Sequence, residues 1–298
     1  MRRLSSCLLV VGALVAIDRR SGAIERPLPD LQSFLQEVRK RLQPDDSRQS
    51  GYVFVTTERR QKLDGRGRTT GESVTIAESY PGFAPGEDRW RRVIAEDGKR
   101  VSEAALHKKD AERRKQAEAY ARKVHDPGER AKLAREREKA RRDAAAAVED
   151  LFRVYDIAMV GREAIDGHDT IAFTMTPRPR APVRTREGRW LRAFKGRAWV
   201  SESDHELVKL EVEAIDTISM GLGMLARMHK GTTAAFSRRK VDAETWLPAR
   251  AEYRFSARVL MLRSMRETGT VDFTNYRRFG VETDATIAQP DGASDAPR

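Results

Sequence analysis

The sequence predicts a mainly β protein with helices: a curved antiparallel sheet, or half-open β-barrel, of about ten strands with an N-terminal helix and an inserted charged helical hairpin. Apolar and polar residues alternate with a period of two through most of the chain, and short turns join these runs. In residues 102–152 the alternation stops, and helix-forming Ala, Glu, Lys and Arg take over. The hairpin therefore interrupts the sheet.

The composition favours a folded protein with a polar insertion. Of the 298 residues, 39% are hydrophobic and 34% are charged, and the formal net charge is +12. The charged fraction exceeds the usual value of about 25%, yet strand-forming runs recur along the chain. Global disorder is therefore excluded, and we assign much of the excess charge to the inserted block.

The first 23 residues have the three parts of a secretory signal peptide. Arg2 and Arg3 precede the apolar run Leu8 to Ile17, and Ser21-Gly22-Ala23 provides a small-residue cleavage site. The one cysteine, Cys7, lies in this segment, so the mature chain would have no thiol. We expect an exported, periplasmic protein of the cell envelope that has no nucleic-acid partner.

An amphipathic helix and three strands follow the signal segment. From Leu31 to Leu42 the apolar residues repeat at helical spacing, and Gln43-Pro44-Asp45-Asp46 ends the helix. The period then changes to two, with a turn at Gly65-Arg66-Gly67. The predicted strands of this meander are Gly51 to Asp64, Thr69 to Tyr80 and Arg89 to Glu96.

The block 102–152 predicts a hairpin of two helices. Ser102 is a suitable N-cap, and Asp126-Pro127-Gly128 divides the block. Charges of both signs alternate along both halves, so that i,i+4 pairs are available. Because the apolar residues are sparse and mostly Ala, we expect the hairpin to project from the sheet. It is either a solvated surface of mixed charge or an arm that docks a partner.

The second half of the chain predicts the remaining strands. Tyr155 to Ile165 and His168 to Thr176 form a β-hairpin across Asp166-Gly167, and a Pro-rich connector with a short helix at Thr185 to Lys195 follows. The later strands are Gly196 to Ser201, Glu206 to Ile215, Gly231 to Val241, Trp246 to Val259 and Leu262 to Tyr276. The domain then spans residues 24–280, and we expect residues 281–298 to be a disordered tail.

Motifs of common catalytic sites are missing from the sequence. Neither G-x-S-x-G nor H-E-x-x-H occurs, and the five histidines are scattered along the chain. We therefore predict that the protein is not an enzyme and has no catalytic residue, metal site or cofactor.

Methionine recurs every four residues in one segment, at Met220, Met224 and Met228. Three interpretations remain open. The segment packs in an ordinary core, forms an adaptable apolar loop over a lipid-sized groove, or binds Cu(I) through its thioethers.

Candidate ligand-binding residues are the apolar residues that share one face of the predicted strands, together with the methionine segment. If the sheet curls around a helix, they form a plain core. If it curls without closing, its concave side leaves room for acyl chains. The candidates are Ile171, Phe173, Met175, Val208, Leu210, Val212, Met220, Leu222, Met224, Tyr253, Phe255, Val259 and Phe273.

Two motifs carry a family resemblance. G-R-A-W-V-S-E-S-D-H-E-L-V-K-L-E spans residues 196–211, and T-W-L-P-A-R at residues 245–250 precedes an apolar strand. With the signal segment, the opening helix and the strand meander, this pattern resembles outer-membrane lipoprotein-sorting proteins of the LolA/LolB-like superfamily. The resemblance covers about residues 31–280 except for the helical hairpin.

The resemblance implies a half-closed barrel that shields lipid or lipoprotein acyl chains during passage through the periplasm. Such a protein is a binding or carrier protein whose partners are lipid or lipoprotein acyl chains. Envelope proteins or an anionic membrane surface are further partners that this interpretation allows. Two alternatives are a non-enzymatic interaction or sensor domain with a filled barrel and a docking hairpin, and a Met-rich copper-binding protein.

Overall fold

The computed structural model describes residues 26–42, 51–83, 88–220, 226–259 and 263–279. The predicted signal peptide and C-terminal tail lie outside these ranges. The described residues form four helices, which are α1 Leu31–Arg41, α2 Glu103–His125, α3 Pro127–Val154 and α4 Arg186–Leu191.

Thirteen strands in the described ranges belong to one antiparallel sheet. They are β1 Tyr52–Leu63, β2 Thr69–Tyr80, β3 Trp90–Glu96, β4 Lys99–Arg100, β5 Tyr155–Ile165, β6 His168–Pro177, β7 Phe194–Ser201, β8 Leu207–Ala214, β9 Ile218–Met220, β10 Ala226–Met228, β11 Thr233–Lys240, β12 Trp246–Val259 and β13 Arg263–Arg278.

The sheet is open. Its main path runs in the order β4-β3-β2-β1-β13-β12-β11-β8-β7-β6-β5, while β10 pairs with β12 and with β9. The two ends of this path, β4 and β5, do not pair with each other among the described residues. The predicted open antiparallel sheet with an N-terminal helix and an inserted helical hairpin is confirmed.

The methionine segment forms two short strands, which the sequence did not predict. In the pairing of β9 with β10, Met220 lies opposite Ala226 and Ile218 lies opposite Met228. The described parts of this segment are therefore extended strands rather than the helix that a four-residue spacing of apolar residues would favour. Met224 and Leu222 lie outside the described residues.

Helix α1 begins at an N-cap and buries one side against the sheet. The carboxylate of Asp30 accepts a hydrogen bond from the backbone N–H of Ser33. Phe34 and Val38, one helical turn apart, are the residues that α1 buries. The ring of Phe34 lies 5.7 Å from the ring of Phe173 on β6, measured between centroids.

The main core lies between α1 and the apolar face of β5 to β8. Its buried members are Phe34, Val38, Val154, Tyr155, Ile171, Phe173, Met175, Ala181, Ala198 and Val200. Because α1 covers these strands, their apolar face contributes to stability as an ordinary core.

The helical hairpin is anchored at its base. The buried residues of the two helices are Leu106 in the first turn of α2 and Asp150 and Val154 in the last turns of α3. Near the base, the guanidinium of Arg92 on β3 forms a bidentate pair with the Asp110 carboxylate at 2.8 and 2.9 Å. The middle of the hairpin is largely exposed, so it projects from the sheet.

Asp150 ties the end of α3 to the connector that precedes β7. Its side chain is fully buried and accepts hydrogen bonds from the backbone N–H groups of Arg184 and Thr185 and from the Thr185 hydroxyl. Arg153 pairs with the same carboxylate at 3.1 Å. Burial favours a raised pKa for Asp150, but the hydrogen bonds from Thr185 and Arg184 and the charge of Arg153 outweigh it, so the pKa is lowered.

We expect Asp150→Asn to lower the free energy of unfolding by about 2 kcal/mol at neutral pH, because an amide cannot replace all the hydrogen bonds accepted by the carboxylate. Since the folded-state pKa lies below the unfolded value, the carboxylate stabilises the fold above about pH 4, and this contribution disappears as the pH falls through the folded-state pKa. Urea unfolding across pH should therefore show the variant and wild type converging in acid.

Asp143→Asn is the matched control for this prediction. Asp143 lies on the same helix and is exposed, so its substitution should leave the unfolding free energy within about 0.5 kcal/mol of wild type. Equal effects of the two substitutions would contradict an anchoring role for Asp150.

Candidate ligand-binding cleft

One cleft crosses the middle of the sheet. Its volume is about 770 Å³, and its lining residues come from eight neighbouring strands, in the order β6, β7, β8, β11, β12, β13, β1 and β2. A single cleft can contact all eight strands because it runs across them, roughly perpendicular to the strand direction. The volume lies within the range of roughly 300–1,000 Å³ that is typical of small-molecule sites.

The side chains that face the cleft form two rows across the sheet, because the strand register aligns one residue from each strand with its neighbours. The first row contains Thr176, Lys195, Glu213, Thr233, Arg254, Thr268, Gln61 and Glu72. The second row contains Thr174, Arg197, Glu211, Ala235, Glu252, Thr270 and Arg59. The residue between the rows on each strand has its side chain on the opposite face.

Ion pairs neutralise most of the charged side chains in these rows. The pairs are Lys195–Glu213 at 2.9 Å, Arg197–Glu163 at 3.0 Å, Lys209–Glu211 at 2.7 Å, Arg250–Glu252 at 2.5 Å and Arg59–Asp272 at 3.1 Å. Arg254 and Glu72 have no ion-pair partner among the described residues. The cleft therefore carries paired charges along most of its length, and an unpaired cation in its centre.

The cleft surface is amphipathic. Lysine, arginine and glutamate side chains form ion pairs along the sheet. Their methylene groups lie beside these ion pairs and add carbon surface to the cleft. Five threonines and Ala235 add methyl groups between these stems. Such a surface offers both carbon contacts and hydrogen-bonding groups to a ligand.

On the opposite face, two glycines allow larger side chains to lie flat on the sheet. The ring of Tyr253 covers Gly269, and the methyl group of Met175 covers Gly196. The Tyr253 hydroxyl donates a hydrogen bond of 2.7 Å to Glu267. Burial, together with this hydrogen bond and the charge of Glu267, raises the pKa of Tyr253, so the phenol stays protonated as the donor.

The structure separates the apolar residues predicted to bind ligand into three groups. Those buried in the fold are Ile171, Phe173, Met175 and Val208, and the first three belong to the core beneath α1. Those that are half-buried are Leu210, Val212, Tyr253, Phe255 and Phe273. Leu222, Met224 and the side chains of Met220 and Val259 lie outside the described residues.

The cleft differs in chemistry from the apolar cavity that the sequence predicts. Met175, Val212 and Tyr253 contribute to its lining, but their side chains alternate with the two polar rows and belong to the opposite face. The two polar rows border the cleft, and α1 covers part of the apolar face. Contact of the predicted apolar residues with a ligand stays a prediction.

The polar rows are residues that the sequence analysis did not select. The alternation that placed Val208, Leu210 and Val212 on one face also placed Glu211 and Glu213 on the other. This signal identifies the two faces of a strand, but the direction in which the sheet curls depends on all the strands together.

The described residues contain neither a cluster of metal ligands nor a helix that could cross a membrane. No group of three or more His, Cys, Asp or Glu side chains there is arranged to hold a metal ion. None of the helices in the same ranges combines the length and the apolar composition needed to cross a membrane.

Known proteins resemble this chain in structure. No family model and no curated protein matches it. A putative outer-membrane lipoprotein-sorting protein domain from Vibrio parahaemolyticus is similar over 85% of this chain and 95% of that one, with 11% identity and a TM-score of 0.27.

Two further solved structures are similar over comparable lengths. A LolA superfamily protein from Nitrosomonas europaea shares 11% identity over 85% of this chain and 94% of that one, with a TM-score of 0.25. A DUF1329 family protein from Desulfovibrio piger shares 11% identity over 84% of this chain and 94% of that one, with a TM-score of 0.31. Lipoprotein-sorting and LolA superfamily proteins are thus among the solved structures similar to this chain.

We expect Gly196→Ala to lower the free energy of unfolding by roughly 1–3 kcal/mol, as other overpacked positions do. A Cβ at this position would lie 2.7 Å from the Glu211 carbonyl oxygen and 2.7 Å from the Met175 methyl group. The methionine can rotate, but the carbonyl belongs to the paired strand β8. Chemical denaturation of the purified variant measures the change.

Gly71→Ala on β2 is the control, because a Cβ there meets no atom within 4 Å. We expect this variant to be as stable as wild type or slightly more stable. If Gly196→Ala were equally harmless, the close pairing of β7 with β8 at the cleft would be wrong.

Proposed function

We propose that the chain is an exported, non-enzymatic binding protein that holds the acyl chain of a lipid or lipoprotein in the concave cleft and carries it through the periplasm. The observation that carries the proposal is the cleft itself, about 770 Å³ in volume and lined from eight strands. Its length follows the sheet, which suits an elongated ligand better than a compact one.

The carbon surface of the cleft provides the driving force. Burying one methylene group contributes about 0.8 kcal/mol, so even partial coverage of an acyl chain yields a useful gross free energy. The threonine methyl groups, Ala235 and the stems of the paired charged residues are the groups that would contact the chain. Most of the charged groups already form ion pairs. The acyl chain can therefore cover their methylene groups without removing an unpaired charge from water.

The polar rows favour an amphipathic ligand over a pure hydrocarbon. A hydrocarbon in this cleft would leave hydroxyl groups and ion pairs with fewer hydrogen-bonding partners, whereas a lipid with a polar head supplies some of its own. Within the described part of the chain, the end strands β4 and β5 do not pair with each other, and this open sheet gives such a ligand a route of entry and release.

Filling the cleft should abolish binding. Ala235 lies in the second row on β11, and an indole there would occupy space that the proposed acyl chain needs. We expect Ala235→Trp to weaken the binding of the fluorescent fatty acid cis-parinaric acid by at least about tenfold, which corresponds to 1.4 kcal/mol. Fluorescence titration measures the dissociation constant, and mass spectrometry of organic extracts from natively purified protein identifies bound lipids.

The neighbouring residue provides a matched control. Ala234 is on the same strand, but its side chain lies on the opposite face of the sheet. We expect Ala234→Trp to change the affinity by less than about twofold. The reverse pattern would assign the ligand to the apolar face, and a wild-type protein that binds no lipid would overturn the carrier proposal.

A further inference from the structure

Four arginines lie on one face of the sheet where β10, β12 and β13 meet, and we call them the arginine cluster: Arg227, Arg254, Arg258 and Arg266. Arg227 is directly opposite Arg258, and Arg266 is opposite Ser256. Since Ser256 lies midway between Arg254 and Arg258, alternation puts all four side chains on one face. Directly opposed residues are about 5 Å apart and diagonal ones about 7–8 Å apart.

Arg227, Arg254 and Arg258 have no carboxylate partner among the described residues, whereas Arg266 interacts electrostatically with the Asp64 carboxylate. All four side chains are exposed, and Arg266 makes a hydrogen bond of 3.3 Å to the backbone carbonyl of Asp64. The other cations that line the cleft, Arg59, Lys195 and Arg197, each pair with a carboxylate. Residues 221–225 and 260–262, which connect the strands here, contain no acidic residue.

The strand register holds these charges close to one another. Like charges directly opposite each other across two antiparallel strands destabilise the pair, and Arg227 and Arg258 are in this position. An anion bound between them would remove that repulsion. Arginine is suited to phosphate, because its planar fork can donate two parallel hydrogen bonds to phosphate oxygens.

Arg254 connects the arginine cluster to the cleft. It belongs to the first row, on the fifth of the eight strands, and its cross-strand neighbours are Thr233 and Thr268. Two threonines are therefore its neighbours on this face of the sheet. A ligand whose chain lies in the cleft could extend its head along β12 from Arg254 toward Arg258.

We propose that the arginine cluster binds the phosphate-bearing head group of the lipid whose acyl chain occupies the cleft. This inference rests on the proposed function, because the site and the cleft share one ligand. It assigns the ligand to the class of anionic phospholipids and makes the cluster the determinant of head-group specificity.

The test compares two single-chain lipids that differ in the phosphate. Palmitoyl lysophosphatidic acid and monopalmitoylglycerol are each titrated against the full chain with bound cis-parinaric acid, at low ionic strength. The loss of fluorescence measures how strongly each lipid displaces the probe. We expect the phosphate-bearing lipid to bind about tenfold more tightly. The preference should disappear in the double variant Arg254→Gln with Arg258→Gln and should shrink as salt is added.

Arg197→Gln is the matched control, because Arg197 lines the same cleft but pairs with Glu163. It should retain the preference for phosphate. The single variant Arg258→Gln removes the opposed pair of arginines, so its melting temperature without ligand should equal or exceed that of wild type. It also provides a folded test protein if the double variant fails to fold.

Each other result has a definite meaning. Equal affinity for both lipids, or a preference that survives in the arginine variants, overturns the head-group site and leaves the carrier function intact. Failure of both lipids to bind overturns the carrier function and the inference with it. Competition by inorganic phosphate as strong as that by the lipid would reduce the cluster to a free-anion site. The protein could instead bind phosphatidylcholine–phosphatidylglycerol vesicles through these arginines and show no preference for the phosphate-bearing free lipid. That result would replace the head-group site with a membrane contact.

Discussion

The register of the antiparallel sheet is the constraint on which the cleft depends. Each strand contributes alternate residues to the two faces, and backbone hydrogen bonds fix which residue of the next strand lies beside them. Across eight strands this alignment assembles two continuous polar rows from residues far apart in sequence. A shift of one residue in a single strand would move its apolar side chains into the cleft and its polar ones onto the opposite face.

The two faces of the sheet serve different purposes. On β5 to β8, the apolar face packs against α1, and the contact between Phe34 and Phe173 belongs to this core. The other face carries the polar rows that border the cleft. The core thus holds the strands in place while the cleft stays open, and Asp150 fixes the end of α3 beside the same core.

Charge pairing distinguishes regions within the concave face. Along most of the cleft, neighbouring strands place cations and carboxylates together, and the resulting surface is nearly neutral and rich in methylene stems. At the junction of β10, β12 and β13, the same register places arginines side by side. A nearly neutral cleft with a cationic region beside its middle matches a ligand with a long carbon chain and an anionic head group.

The sequence alone determined the longer strands, the opening helix and the projecting hairpin, but not the short strands β4, β9 and β10, because alternation, capping and charge spacing are local properties that need several residues to show a pattern. It also sorted residues such as Leu210 and Glu211 onto opposite faces. It could not decide which face becomes concave, since the curl of a sheet arises from the twist and packing of all its strands. The pairing of Arg227 with Arg258 likewise required tertiary structure, because only long-range hydrogen bonding brings those two positions together.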